Sequence, residues 1–133
     1  MESTDEISRK ERLLDLFLKL EESEQLEMKG LIKSKSIFRY ERMFKGIAVV
    51  TNIGANTIRL ERENGKKIKA FEVTSEIAEL IKKGDALMMI SGLRQGVWRL
   101  IRLDCMGSEI SIDGKSSMHL SIMGRSIEPS MAN

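Results

Sequence analysis

The chain is short of the residues that site chemistry most often uses. Its 133 residues include one cysteine, Cys105, and one histidine, His119. A single cysteine excludes an intrachain disulfide, and a lone thiol suits a reducing compartment. Zinc sites draw on several Cys or His ligands at set spacings, so the sequence predicts no metal. Nucleophilic catalysis needs a base beside its nucleophile, and neither Cys105 nor His119 has an evident partner. No Gly-rich, lysine-ended phosphate loop is present, since Gly84-Asp85 and Gly92 are isolated. These absences predict no catalytic residues and no cofactor. Proline is limited to Pro129, near the end of the chain. No apolar run approaches the ~20 residues that span a bilayer. The first residues, MESTDEISRKER, are charged from the second position and lack the apolar stretch of a signal peptide. The expected location is cytoplasmic, with no membrane partner.

What is present is an ordinary globular balance, 41% apolar and 32% charged, enough for one core with appendages. The net charge of +2 hides an uneven distribution. Residues 1–30 carry 5 basic and 9 acidic side chains, whereas residues 31–73 carry 10 basic and 4 acidic. A local basic excess attracts nucleic acid or acidic partners.

Periodicity divides the chain into three parts. Residues 4–22 read as an amphipathic helix with Leu13, Leu14, Phe17 and Leu20 on a wide apolar face. Ser3 or Thr4 is the expected cap. A weaker helical stretch follows over 23–32. That apolar face needs a cover, either the chain's own core or a protein partner or second copy docked at Leu13, Leu14, Phe17 and Leu20. Strands are predicted over 44–53, 57–63 and 66–73, with a hairpin at Asn64-Gly65, where both residues tolerate positive φ. In the third strand Ile68 and Ala70 share one face and Phe71 and Val73 the other, which predicts a bulge. A short helix over 74–83 is capped by Thr74 or Ser75, and Gly84 follows it. Strands over 86–91 and 97–104 flank a turn at Leu93-Arg94-Gln95-Gly96. Residues 110–122 suggest another hairpin, and 125–133 read as a frayed end. The expected organisation is a helical segment over 1–36, a β-barrel over 37–105 and a C-terminal extension over 106–133.

The order strand, strand, strand, helix, strand, strand over 44–104 resembles the OB-fold superfamily, a five-stranded Greek-key barrel. Gly46 in strand one, Glu63-Asn64-Gly65 between strands two and three, Leu80-Ile81-Lys82-Lys83-Gly84-Asp85 into strand four, and Gly92 and Trp98 around the last hairpin carry the likeness. The expected fold class is mainly β with α: a small five-stranded OB-like barrel after an N-terminal amphipathic helix. The resemblance implies that nucleic acid lies across strands two and three, at Arg59, Arg62, Lys67 and Lys69, with Arg94 in the last loop. The loops flanking that face are very short here. The chain is also similar to the PilZ family, cyclic-dinucleotide binders, in having a basic segment before a barrel. It departs from both PilZ motifs. Arg39 and Arg42 have two residues between them rather than three, Lys35 has the spacing to Arg39 but is a lysine, and Asn52-Ile53-Gly54 lacks the serine.

The strongest functional pattern is KSKSIFRYERMFK, residues 33–45, where Lys35, Arg39, Arg42 and Lys45 interleave with Phe38, Tyr40 and Phe44. Cations that track phosphates and rings that stack on bases make a single-strand binding surface. The function expected from the sequence is a non-enzymatic module binding single-stranded DNA or RNA. The alternative is an assembly subunit that uses the first helix. Glu61 and Glu63, beside Arg59 and Arg62, read as cross-strand ion pairs.

Overall fold

The computed structural model describes residues 4–34, 39–112 and 115–124, with side chains for 5–34 and 39–107. Among the described residues, two helices and six strands follow one another as α1 (Thr4–Lys33), β1 (Arg42–Ile53), β2 (Thr57–Arg62), β3 (Lys67–Glu72), α2 (Ser75–Leu80), β4 (Asp85–Arg94), β5 (Val97–Ile112) and β6 (Lys115–Gly124). The protein is mainly β with α.

Five strands close into a ring. β1 pairs antiparallel with β2 and β4, β2 with β3, and β4 with β5. A parallel contact of Phe71 with Trp98 joins β3 to β5 and completes the circuit. The hairpin forms at Asn64-Gly65, and Asn64 Oδ1 accepts a hydrogen bond from the Lys66 N–H at 3.0 Å. The bulge is in β3: Ile58 faces Phe71 while Leu60 faces Ile68, so β3 has one extra residue across that span. Thr74 caps α2, its hydroxyl accepting from the Ile77 N–H. Ile77 then reaches the core with no exposed surface.

Several boundaries differ from those the periodicity predicts. The two helical stretches are one continuous 30-residue helix. α2 stops at Leu80 because Ile81 adopts an extended conformation. Leu93 and Arg94 belong to β4, leaving Gln95-Gly96 as the turn, and both take positive φ as a two-residue hairpin requires. β5 runs on to Ile112 and pairs with β6, so the C-terminal hairpin forms directly on the ring's last strand. The side chain of His119 and all of residues 125–133 lie outside the described residues. No helix among the described residues is long and apolar enough to cross a membrane.

α1 packs on β5 and α2 and touches β6. Leu13 and Phe17 have no exposed surface and join the ring's core, while Leu14 and Leu20 pack half-buried against it. Farther along, the buried stripe turns polar. The Glu21 carboxylate accepts from the Leu103 N–H at 3.1 Å, satisfying a main-chain donor of β5. Two buried ion pairs fasten the helix at separate points. Near its start, Arg9 forms a two-pronged bridge to Asp85 at 2.8 and 2.9 Å. Farther on, Arg94 donates to Glu24 at 2.7 Å. Tyr40 adds to the second clasp: its hydroxyl donates to Glu24 at 2.7 Å, and its ring lies on Gly92. A Cβ at Gly92 would stand 2.4 Å from that ring, so only glycine permits the contact.

The first clasp carries a pH dependence. A hydrogen bond from Arg9, reinforced by Lys82, holds the Glu6 carboxyl down at about 2 against the opposing effect of burial. A carboxyl depressed in the folded state stabilises fully above its unfolded value, and the contribution fades as the pH falls. For Glu6 the window runs from about pH 4.5 down to about 2. Urea midpoints measured at pH 6 and pH 3 should fall less for Glu6→Gln than for the native chain. Equal falls would place Glu6 outside the clasp.

Candidate nucleic-acid interface

The alternation of β2 and β3 sorts their side chains. Ile58, Leu60 and Ile68 turn into the ring and are buried, whereas Arg59, Lys67 and Lys69 are exposed. Arg59 and Lys69 line one open cleft of about 380 Å³ with Asn52, Ile53, Gly54, Thr57 and Ile58. The cleft lies at the β1–β2 turn, held by a hydrogen bond from the Gly54 N–H to the Thr57 carbonyl at 2.7 Å. Lys67 stands opposite Glu61 in the ladder. Among the described residues, no ion pair neutralises Arg59, Lys67 or Lys69. The arginines at the helix seams contrast with them, each held by a carboxylate. Asn52, which enters the sequence reading only in the incomplete PilZ motif, and Thr57, which does not enter it as a site residue, add hydrogen-bonding groups to the cleft. As cleft residues, only their flanking of a tight turn marked them.

The remaining expected residues are dispersed. Arg39, Arg42 and Lys45 are exposed around the start of β1. Asn52 is level with Arg59 in the ladder, and Lys45 lies seven residues before it, about 23 Å away at strand rise. Two basic groups therefore occupy opposite ends of β1. Tyr40 is half-buried against Gly92, and burial followed by the Glu24 carboxylate pushes its phenol above the ordinary range. Arg94 is 5% exposed and committed to Glu24 and Glu27. Burial works to lower its pKa, but those carboxylates outweigh it and the net shift is upward. Lys35 and Phe38 lie outside the described residues.

No family model, no curated protein and no solved structure matches the chain.

The expected ion pairs of Arg62 with Glu61 and Glu63 are absent. Arg62 shares the inward parity of Ile58 and Leu60, so it leaves the side of the strand that Glu61 and Glu63 occupy. Among the described residues, no aromatic ring lines the Arg59–Lys69 cleft. The Cys105 thiol donates to the Met88 sulfur at 3.9 Å. Burial, then the Asp104 carboxylate, raises its pKa, which keeps it protonated at neutral pH. Among the described residues, no cluster of three His, Cys, Asp or Glu side chains is arranged to hold a metal.

Proposed function

We propose that this chain is a non-enzymatic module that binds single-stranded nucleic acid through the outer face of β2 and β3. The observation that carries the reading is the set of three exposed, un-ion-paired cations, Arg59, Lys67 and Lys69, two of them in a cleft with Asn52 and Thr57. The strand circuit β1-β2-β3-β5-β4, with a helix between β3 and β4, supports an OB-type assignment. In that fold class this same strand pair and the adjoining loop face the ligand, which is an argument from analogy.

With no ring in the cleft among the described residues, binding rests on phosphate contacts and tolerates sequence. Each neutralised phosphate contributes about −0.7 to the slope of log K against log salt for single strands. Three cations then give roughly −2, or about 15-fold weaker binding at 200 mM than at 50 mM salt. Fluorescence anisotropy of a labelled mixed-sequence single strand over a salt series reads this directly. The double substitution Arg59→Ala with Lys69→Ala should remove about 1.4 from the slope. Flat anisotropy at high protein concentration, or affinity indifferent to salt, would overturn the reading.

A further inference from the structure

The end of the ring where β2 finishes carries a cation, Arg62, that no described side chain neutralises. Arg62 is half-buried, and its Nε is buried with no hydrogen-bond partner. No carboxylate pairs with it among the described residues. Two aromatic rings hold it instead. Its guanidinium carbon lies 5.0 Å from the centroid of the Phe44 ring and 5.3 Å from that of Trp98. Phe44 folds back over Gly46, where a Cβ would come within 3.2 Å of the ring. Trp98, 7% exposed, comes from β5. Across the ladder from Phe44, Ser91 carries a buried hydroxyl without a partner among the described residues.

A guanidinium drawn out of water is costly unless it is paired. Ring faces attract its charge but accept none of its in-plane N–H bonds in the way a carboxylate or phosphate does. The arrangement fixes the cation and leaves its donor fork for an anion. Arg9 and Arg94 show the contrasting case, in which the chain supplies the carboxylates itself. The β2–β3 hairpin starts from this end, with the Arg62 N–H donating to the Lys66 carbonyl at 2.8 Å. Exposed Lys66, Lys67 and Lys69 follow along β3 towards the cleft of Arg59. A strand whose terminal phosphate sits at Arg62 would pass over this end of the ring to reach those lysines on the outer face.

We propose that Arg62, held by Phe44 and Trp98 at the end of the ring where β2 finishes, binds a phosphate monoester, the terminal phosphate of the strand; its placement on a strand rests on the function proposed above. A monoester presents more charge than an internal diester, and three terminal oxygens. A planar guanidinium fork engages two such oxygens side by side.

Trp98 is the one tryptophan of the chain, so its emission reports on this end of the ring. The full chain is titrated with one oligonucleotide sequence in three forms, carrying a terminal phosphate at neither end, at the 5′ end or at the 3′ end. Anisotropy and Trp98 emission are read together, with inorganic phosphate as a separate arm. One phosphorylated form should bind at least about tenfold tighter than the unphosphorylated one, with a change in Trp98 emission. Arg62→Gln should abolish that preference, and Arg62→Lys should keep only part of it. Should either variant fail to fold, the comparison among the three forms on the native chain still decides. Equal affinity for all three forms overturns the proposal and leaves the β2–β3 face standing. A saturable Trp98 response to inorganic phosphate with no oligonucleotide binding supports the monoester site and overturns the strand-binding function.

Discussion

Substituting both Leu13 and Phe17 with aspartate is expected to unfold the chain. Each side chain has no exposed surface and packs in the core of the ring. Truncating a buried Leu costs about 2–5 kcal/mol and a buried Phe about 3–5. Placing an unpaired carboxylate there costs more, because the charge loses its water and gains no partner. Neighbouring core sites do not add simply. Even so, the combined loss rivals the whole stability of a small domain, about 5–15 kcal/mol. Far-UV circular dichroism and a urea titration of the double variant measure it. A variant that keeps its native spectrum and urea midpoint while its oligomeric state changes would mean that the helix face docks on a partner or a second copy. The chain's own ring covers this face in the structure. The apolar side chains that α1 does expose lie elsewhere: Leu18, Leu26 and Ile32 are 40%, 68% and 66% exposed.

Local chemistry made much of this fold legible. The Asn64-Gly65 hairpin, the phase slip in β3 and the Thr74 cap are short-range devices, and each leaves a mark within a few residues. The slip needed no knowledge of the partner strand, because Ile68 and Phe71 cannot both face inwards without an extra residue between them. The second half of α1 was harder to read. Hydropathy finds helix faces by their apolar stripes, and this helix continues its stripe with Glu21 and Glu24, both buried. Their partners, the Leu103 N–H and Arg94, are about seventy to eighty residues away in sequence. Carboxylates that serve as packing residues look like solvent-facing ones until the tertiary contact is known.

The candidate site divides in the same way. Arg59, Lys67 and Lys69 were legible because strand alternation alone puts them on the outer face. The same alternation puts Arg62 inside with Leu60, and reading it as an ion-pair partner of Glu61 overlooked that parity. The sequence offers Phe44 as one ring of the basic–aromatic segment 33–45 and Trp98 as part of the last hairpin, but their meeting at Arg62 depends on the closure of the ring. That closure comes from the β3–β5 contact, which no local pattern encodes. Arg94 shows the opposite error. Proximity to a turn suggested a solvated cation, whereas two more residues of strand carry it under the helix.

Glu24 is therefore expected to matter more to stability than any other acidic residue on α1. Glu24→Ala takes from Arg94, 5% exposed, its shortest carboxylate contact, and Glu27, at 3.3 Å, is itself half exposed. It also removes the acceptor of the Tyr40 hydroxyl. Breaking a buried pair by deleting one partner costs about 3–5 kcal/mol, since the survivor stays desolvated and uncompensated. Replacing both partners with apolar side chains of similar volume, Glu24→Leu with Arg94→Met, should cost far less, because neither charge remains to be desolvated. Urea midpoints of the single and double variants measure the difference, and hydrogen exchange of the α1 amides locates it in the helix's second half. A single variant within about 1 kcal/mol of the native chain, the range of exposed pairs, would mean that water reaches the clasp. The same variants assign Arg94 its role. If the clasp is its only role, the double variant binds single-stranded nucleic acid like the native chain, because the β2–β3 face is untouched. A stable double variant that loses affinity would return Arg94 to the binding surface, and the second half of α1 would then have to lift to expose it.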